Sequence, residues 1–180
     1  MTLVLIDRDG VINKEIPGYV KNVSELKIYP QALEAFALLR KHGFTCVVVT
    51  NQSVVGRSII SESDLAAIHL FMCEEIRMKG GRVDDIFTCT DTPERATYRR
   101  KPKPGMLIEA MEKFKTTPED TYFIGDALTD MEAALAAGCG RYLVMTGKGE
   151  ASARALSAHL EPVVRAKDLL DAARKIAERK

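Results

Sequence analysis

The chain has 180 residues, 46% hydrophobic and 28% charged, with a formal net charge of +1, which suits one ordinary globular domain with a full core. That balance supplies no field to draw it to nucleic acid or an anionic membrane, and no run approaches the ~20 apolar residues of a span. Cys46, Cys73, Cys89 and Cys139 are scattered with no C-x-x-C pair, and no basic leader precedes the first apolar run, so a reduced, cytoplasmic setting is expected.

The first predicted strand, TLVLI (2–6), runs straight into Asp7, Arg8, Asp9 and Gly10. A flap over 10–29 leads to a predicted helix over 30–43, opened by Pro30 and closed by Gly43. The second strand, FTCVVVT (44–50), ends in Thr50, Asn51, Gln52 and Ser53. A helix over 61–81 opens on Ser61 with Asp64 three residues on, the spacing of a capping box. The third strand, DIFTC (85–89), is followed by a polar loop ending in RRKPKPG. Then come a helix over 104–114, a strand over 121–126 closing on Gly125-Asp126, and a helix over 130–138. Strands over 141–146 and 162–166 and a helix over 166–180 complete the series.

Several of these strands are continuously apolar, as strands covered on both faces are. Their alternation with helices predicts an α/β fold with a doubly wound, mainly parallel, Rossmann-like sheet. No repeat or linker interrupts it, so a single domain over 1–180 is expected.

In open α/β sheets ligands lie beyond the carboxyl ends of the strands. Those ends here carry Asp7 and Asp9, Thr50 to Ser53, Lys101, and Asp126 with Asp130 four residues later. Asp7, Asp9 and Asp126 would repel one another unless a cation sat among them. An oxygen-only set of this kind suits Mg²⁺, and the lack of a His or Cys cluster speaks against zinc there. Thr50 and Asn51 add hydrogen-bonding groups and Lys101 a full charge, so the set describes a phosphoryl-binding site. Asp7 and Asp9, two positions apart, can face one way, one attacking phosphorus and the other handling a proton. Singly, each motif has an ordinary explanation: a polar strand end, a turn, a solvated basic loop, an acid at a helix N-terminus. Their conjunction at successive strand ends outweighs those explanations.

Together the motifs DRDGVIN, VVVTNQS, RKPKPGM and GDALTDMEAA, spread over most of the chain, resemble those of the haloacid dehalogenase (HAD) superfamily of phosphohydrolases. GYV at 18–20 and the form of the other motifs are similar to the branch holding the heptose 1,7-bisphosphate phosphatases and histidinol phosphatases. The resemblance implies Asp7 as nucleophile and Asp9 as general acid/base. It implies Mg²⁺ held by Asp7, the Asp9 main-chain carbonyl and Asp126. Thr50 and Lys101 would steady the phosphoryl group, and Asn51, Gln52, Ser53 and Arg100 would contact substrate. Asp130 would orient the Asp126 or Lys101 region, with a plain helix-surface acid as the alternative. The implied substrate is a small sugar phosphate, foremost the 7-phosphate of a heptose 1,7-bisphosphate destined for surface polysaccharide, and the implied state a monomer.

Many members of the branch hold zinc through C-x-H and C-x-C ahead of R-K-P. Here Cys89 is followed by Asp91, Thr97 and Arg99 at the other positions, which cannot close a tetrahedral site. No zinc is therefore expected, and Arg95 and Arg99 are expected to order the 90–100 loop by pairing with acids. The intervals Asp9–Thr50 and Ser53–Lys101 leave no room for a separate cap domain, so an open site is expected. His42, His69 and His159 read as surface or packing residues away from the site, Met72, Met78, Met106 and Met111 as core, and Cys46 and Cys139 as buried. Two competing functions are histidinol-phosphate hydrolysis and a phosphoryl-receiving signalling module, which gathers similar residues but places its acceptor after a later strand. A nucleic-acid surface on RRKPK lacks interleaved aromatics.

Overall fold

The computed structural model describes residues 1–179. Six strands form one all-parallel sheet: β1 (Leu3–Ile6), β2 (Thr45–Asn51), β3 (Asp85–Cys89), β4 (Thr121–Gly125), β5 (Gly140–Val144) and β6 (Val164–Ala166). The helices are α1 (Pro30–Lys41), α2 (Ser53–Gly56), α3 (Glu62–Met78), α4 (Gly105–Phe114), α5 (Leu128–Ala137), α6 (Gly149–Arg154) and α7 (Leu169–Ala177). The strand order is β3-β2-β1-β4-β5-β6. This is the doubly wound arrangement predicted, with its topological switch between β1 and β4.

Alternation along β1 explains its central place. Val4 and Ile6 enter one apolar layer with Phe36, Ile68, Met72 and Ile176 from α1, α3 and α7. Leu3 and Leu5 enter the opposite layer with Met106, Leu107 and Ala133 from α4 and α5. All four side chains of β1 are fully buried, and each contributes on the order of 1.5–3 kcal/mol relative to exposure. The register sets Ile6 beside Val48 and Ile124, so β1 and β4 finish within a residue of each other while β2 runs on to Asn51, and their carboxyl-end loops converge on one rim.

Local signals account for most boundaries. Ser61 Oγ accepts from the Asp64 N–H at 3.1 Å and Asp64 Oδ2 from the Ser61 N–H at 2.9 Å, the capping box read from the sequence. That helix ends at Met78 rather than 81, because Gly80 turns into positive φ. The last helix starts at Leu169, capped by Asp168 accepting from the Asp171 N–H; the final residue of the 166–180 expectation, Lys180, lies outside the described residues. Short α2 and α6 were not foreseen. Met72, Met106 and Met111 are core, but Met78 is 67% exposed on the last turn of α3, a correction to the reading of it as core. Cys46 and Cys139 are buried, and all four thiols are free. Among the described residues no helix is long and apolar enough to cross a membrane.

Candidate active site

β1 delivers Asp7 and Asp9, and β4 delivers Asp126, on either side of the switch point. A cavity of about 340 Å³ opens there. Asp7, Asp9, Thr50, Asn51, Gln52, Ser53, Arg100, Lys101 and Asp126, every site residue expected from the sequence, line it.

Asp7 is tied to the sheet by its N–H, which donates to Ile124 O at 2.9 Å. Its Oδ1 accepts from the Arg8 N–H at 2.8 Å and from Lys101 Nζ at 2.9 Å. Lys101, only 3% exposed, also reaches Asp130 Oδ1 at 2.8 Å and Val49 O at 3.0 Å, with its Nζ 5.2 Å from the centre of the Phe123 ring. Burial opposes the ammonium charge, but Asp130 and Asp7 outweigh it and hold the Lys101 pKa above its usual range.

Asp130 is 1% exposed, which excludes the surface-acid alternative. Its Oδ2 accepts from the N–H groups of Asp126 at 3.2 Å and Ala127 at 3.1 Å, closing the first turn of α5 while its Oδ1 meets Lys101. One side chain thus fixes the turn that presents Asp126 and the cation beside Asp7.

Asp126 sits in a cradle that only glycines permit. A Cβ on Gly10 (φ +81°) or Gly147 (φ +57°) would overlap Asp126 Oδ2. The same oxygen accepts from the Lys148 N–H at 2.7 Å, and Thr146 Oγ1 donates to Gly10 O at 2.6 Å to close the cradle.

Negative charge is crowded here. Asp7, Asp126 and Asp130 each offer an oxygen within 4.8 Å of the others. Burial, opposed by Lys101 but reinforced by Asp130 and Asp9, pushes the Asp7 carboxyl up to about 7. Burial, together with the charges of Asp7 and Asp130, pushes Asp126 up to about 8. Carboxyls so raised without a cation are what a divalent ion would draw back to the ionised form. With Asp130 committed to Lys101 and two amides, Asp7 and Asp126 are the side chains that fit as ligands. Oxygen donors alone suit Mg²⁺.

Asp9 is held very differently. Its Oδ1 accepts from Arg8 Nε at 3.3 Å, Arg8 Nη2 at 3.0 Å and Asn13 Nδ2 at 2.9 Å. Its Oδ2 accepts from Arg8 Nη2 at 2.9 Å and Gln52 Nε2 at 2.7 Å. Burial raises the Asp9 pKa, but the Arg8 charge and these donors outweigh it and hold it below the usual carboxylate range.

The amide of Gln52 is spent on Asp9 and on Thr50 Oγ1, at 2.9 Å. Asn51 stitches the end of β2 to the next motif, Nδ2 to Lys101 O at 3.1 Å and the Lys101 N–H to Oδ1 at 3.2 Å. Tyr19 from the flap meets Ser53 Oγ at 3.3 Å, and Arg57 stands beside it. Lys148 Nζ pairs with Glu15 at 2.6 Å over the opposite wall.

The 90–100 loop is ordered by hydrogen bonds. Asp91 Oδ2 accepts from the Thr97 N–H at 2.8 Å and Thr97 Oγ1 at 2.5 Å. Arg99 pairs with Glu109 at 2.9 Å and donates to Thr88 O at 3.1 Å, and Arg100 donates to Asp91 O at 2.6 Å. Arg99 therefore acts as expected, whereas no ion pair of Arg95 is found among the described residues; Glu94 beside it pairs with Arg57 at 3.4 Å.

The sequence reading missed Arg8, Asn13, His69 and Lys148. His69, expected away from the site, lies with Nε2 3.2 Å from Arg8 Nη1. Arg8 was adjacent to both acids and could have been weighed, and Lys148 follows a strand end. Nothing local marks His69, whose position depends on how α3 packs.

Comparison with known proteins agrees with this geometry. The HAD-hydrolase-like family model matches residues 98–172. The D-glycero-beta-D-manno-heptose-1,7-bisphosphate 7-phosphatase of Pseudomonas putida is 41% identical over 150 residues, covering 83% of this chain and 86% of that protein. The enzyme of the same name from Neisseria meningitidis is 37% identical over 159 residues, covering 88% and 83%. The crystal structure of the D,D-heptose 1,7-bisphosphate phosphatase of B. bronchiseptica, complexed with magnesium and phosphate, superposes with a TM-score of 0.95 at 34% identity, covering both chains fully. With the acids of β1 and β4, the β2 hydroxyl and the buried lysine meeting as described, this chain belongs to the HAD superfamily of phosphohydrolases, within the heptose-1,7-bisphosphate 7-phosphatase family.

Proposed function

We propose that the chain, acting as one domain over residues 1–180, removes the 7-phosphate from a D-glycero-D-manno-heptose 1,7-bisphosphate in the cytoplasm through an aspartyl-phosphate on Asp7. The single observation that carries this reading is the opposed environment of the two leading acids. Asp7 is fixed through Oδ1 by Lys101 and a main-chain amide, while Asp9 is gripped by donors on both oxygens.

Bound through Asp7, the Asp9 main-chain carbonyl and Asp126, Mg²⁺ would supply charge neutralisation for the transferring phosphoryl group. Thr50, Asn51 and Lys101 would steady that group, and Ser53 and Arg100 would meet the rest of the substrate, with Gln52 acting through Asp9. Asp7 attacks phosphorus as the bond to the sugar oxygen breaks, its electron pair leaving with that oxygen. A phosphoryl dianion beside Asp9 counteracts Arg8 and favours the protonated acid, whose proton passes to the leaving oxygen. Water then attacks phosphorus, its proton goes to Asp9, and the acyl-phosphate bond breaks to restore the Asp7 carboxylate. The loop at 90–100 needs no zinc in this reading, since Asp91 and Arg99 already hold it.

A phosphate-release screen tests the assignment, with kcat/KM compared across heptose 1,7-bisphosphate, other sugar bisphosphates and histidinol phosphate. The heptose bisphosphate is expected to lead, and preference for histidinol phosphate would overturn the choice. A metal assay of the purified protein is expected to find no stoichiometric zinc, and tightly bound zinc would refute that part.

A further inference from the structure

We infer that Arg8 and His69 form a positioning pair that holds the Asp9 carboxyl in place for its proton transfers, an inference that rests on the acid/base reading of Asp9.

Arg8 is 1% exposed, so water cannot satisfy its guanidinium and each donor must find a partner in the protein. Nε and Nη2 go to Asp9, and Nη1 faces His69 Nε2 at 3.2 Å. An arginine only donates. His69 Nε2 therefore offers its lone pair, and the ring is neutral with its proton on Nδ1.

The histidine comes from α3, which buries Leu65, Ile68, Met72 and Ile76 in the core. Helix packing therefore fixes the imidazole, the imidazole fixes the guanidinium about Nη1, and the guanidinium fixes the carboxylate. His69 does not line the cavity and Arg8 borders it beside Asp9, so the pair reaches the reaction through Asp9.

The bonds to Asp9 fix its orientation for both halves of the reaction. Arg8, Asn13 and Gln52 all donate to Asp9, occupying both of its oxygens. That arrangement fixes the plane and direction of the carboxylate, so a proton transfer at Asp9 depends on where Arg8 holds it. In the water-attack half, water forms a new P–O bond, its proton passes to Asp9, and the bond from phosphorus to Asp7 breaks with its electron pair returning to that carboxylate.

An aryl phosphate such as p-nitrophenyl phosphate separates the halves, because its phenolate leaves without needing a proton from the protein. The first turnover then reports phosphorylation of Asp7, and the steady state reports release by water. His69→Leu removes the acceptor for Nη1. It is expected to keep the first-turnover rate within about twofold and slow the steady state about tenfold, as displaced general bases do, with phosphorylated protein accumulating. His69→Gln, whose amide oxygen has similar reach, is expected to restore most of that loss.

Asp9→Asn is the control: its first turnover should persist while its steady state collapses. If Asp9→Asn turns over like the wild type, the acid/base reading of Asp9 fails. If Asp9→Asn behaves as expected but His69→Leu keeps the wild-type ratio of the two rates, the positioning role is overturned. A purely structural histidine would lower the amplitude of the first turnover and leave that ratio alone, which also counts against the inference.

Discussion

Lys101→Met tests the electrostatics of the site without touching the acids. The methionine keeps most of the side-chain volume and its contact with Phe123, but it withdraws the ammonium from Asp7, Asp130 and Val49 O, at 2.9, 2.8 and 3.0 Å. Two buried acids would then face each other uncompensated, and breaking a buried pair by deleting one partner costs about 3–5 kcal/mol. In the metal-free protein that corresponds to a Tm lower by roughly 6–20 °C for a domain of this size. By contrast the exposed Arg77–Glu74 pair, at 2.7 Å on α3, is screened by water, and its removal should leave the unfolding midpoint essentially where it is. Urea denaturation in EDTA measures both. Adding Asp130→Asn to Lys101→Met should recover more than half of the loss, since one uncompensated charge disappears. The deficit should also shrink on acidification, as Asp7 takes up a proton and one of the two facing charges is lost. A loss below about 1 kcal/mol, or a double variant no better than the single, would refute the idea that Lys101 neutralises this acid pair.

The pH dependence of the metal-free protein has a definite sign. Asp7 and Asp126 have folded values of about 7 and 8 against an ordinary 3.8; such groups contribute stability that is whole below the unfolded value and lost as pH rises through the folded one. Thermal melts in EDTA should therefore fall from about pH 4 to pH 8, and Mg²⁺ should flatten the curve; a metal-free melt that rises across that range would contradict the crowding described. Gly147→Ala forces positive φ and a Cβ onto Asp126 Oδ2; it should raise the Mg²⁺ concentration for half-maximal activity at least about tenfold, a shift of roughly 1.4 kcal/mol, and an unchanged Mg²⁺ titration would dismiss the cradle. Asp126→Asn should raise the Mg²⁺ requirement more sharply still, and unchanged metal dependence would remove it from the ligand set.

Much of this architecture was legible because the determinants were local. The β1 run, Pro30, the Ser61–Asp64 box and Gly138 (φ +76°) each fix an element through neighbours in sequence. Strand ends then located Asp7, Asp9, Thr50, Lys101 and Asp126 through a rule of topology. Residues whose role depends on tertiary packing were not legible. His69 meets Arg8 only because α3 lies where it does. Met78 has the spacing of a core residue but falls on the exposed last turn of α3. Asp130 could be read either as a surface acid or as a brace until its burial and its bonds to Lys101 and two amides were seen.

The most direct measurement asks where the phosphoryl group goes. Protein quenched in acid during a single turnover and reduced with borohydride should carry homoserine in place of Asp7, because an acyl phosphate is reduced where a free carboxylate is not. Modification at any other residue, or none while phosphate is being released, would contradict a covalent bond between Asp7 and phosphorus.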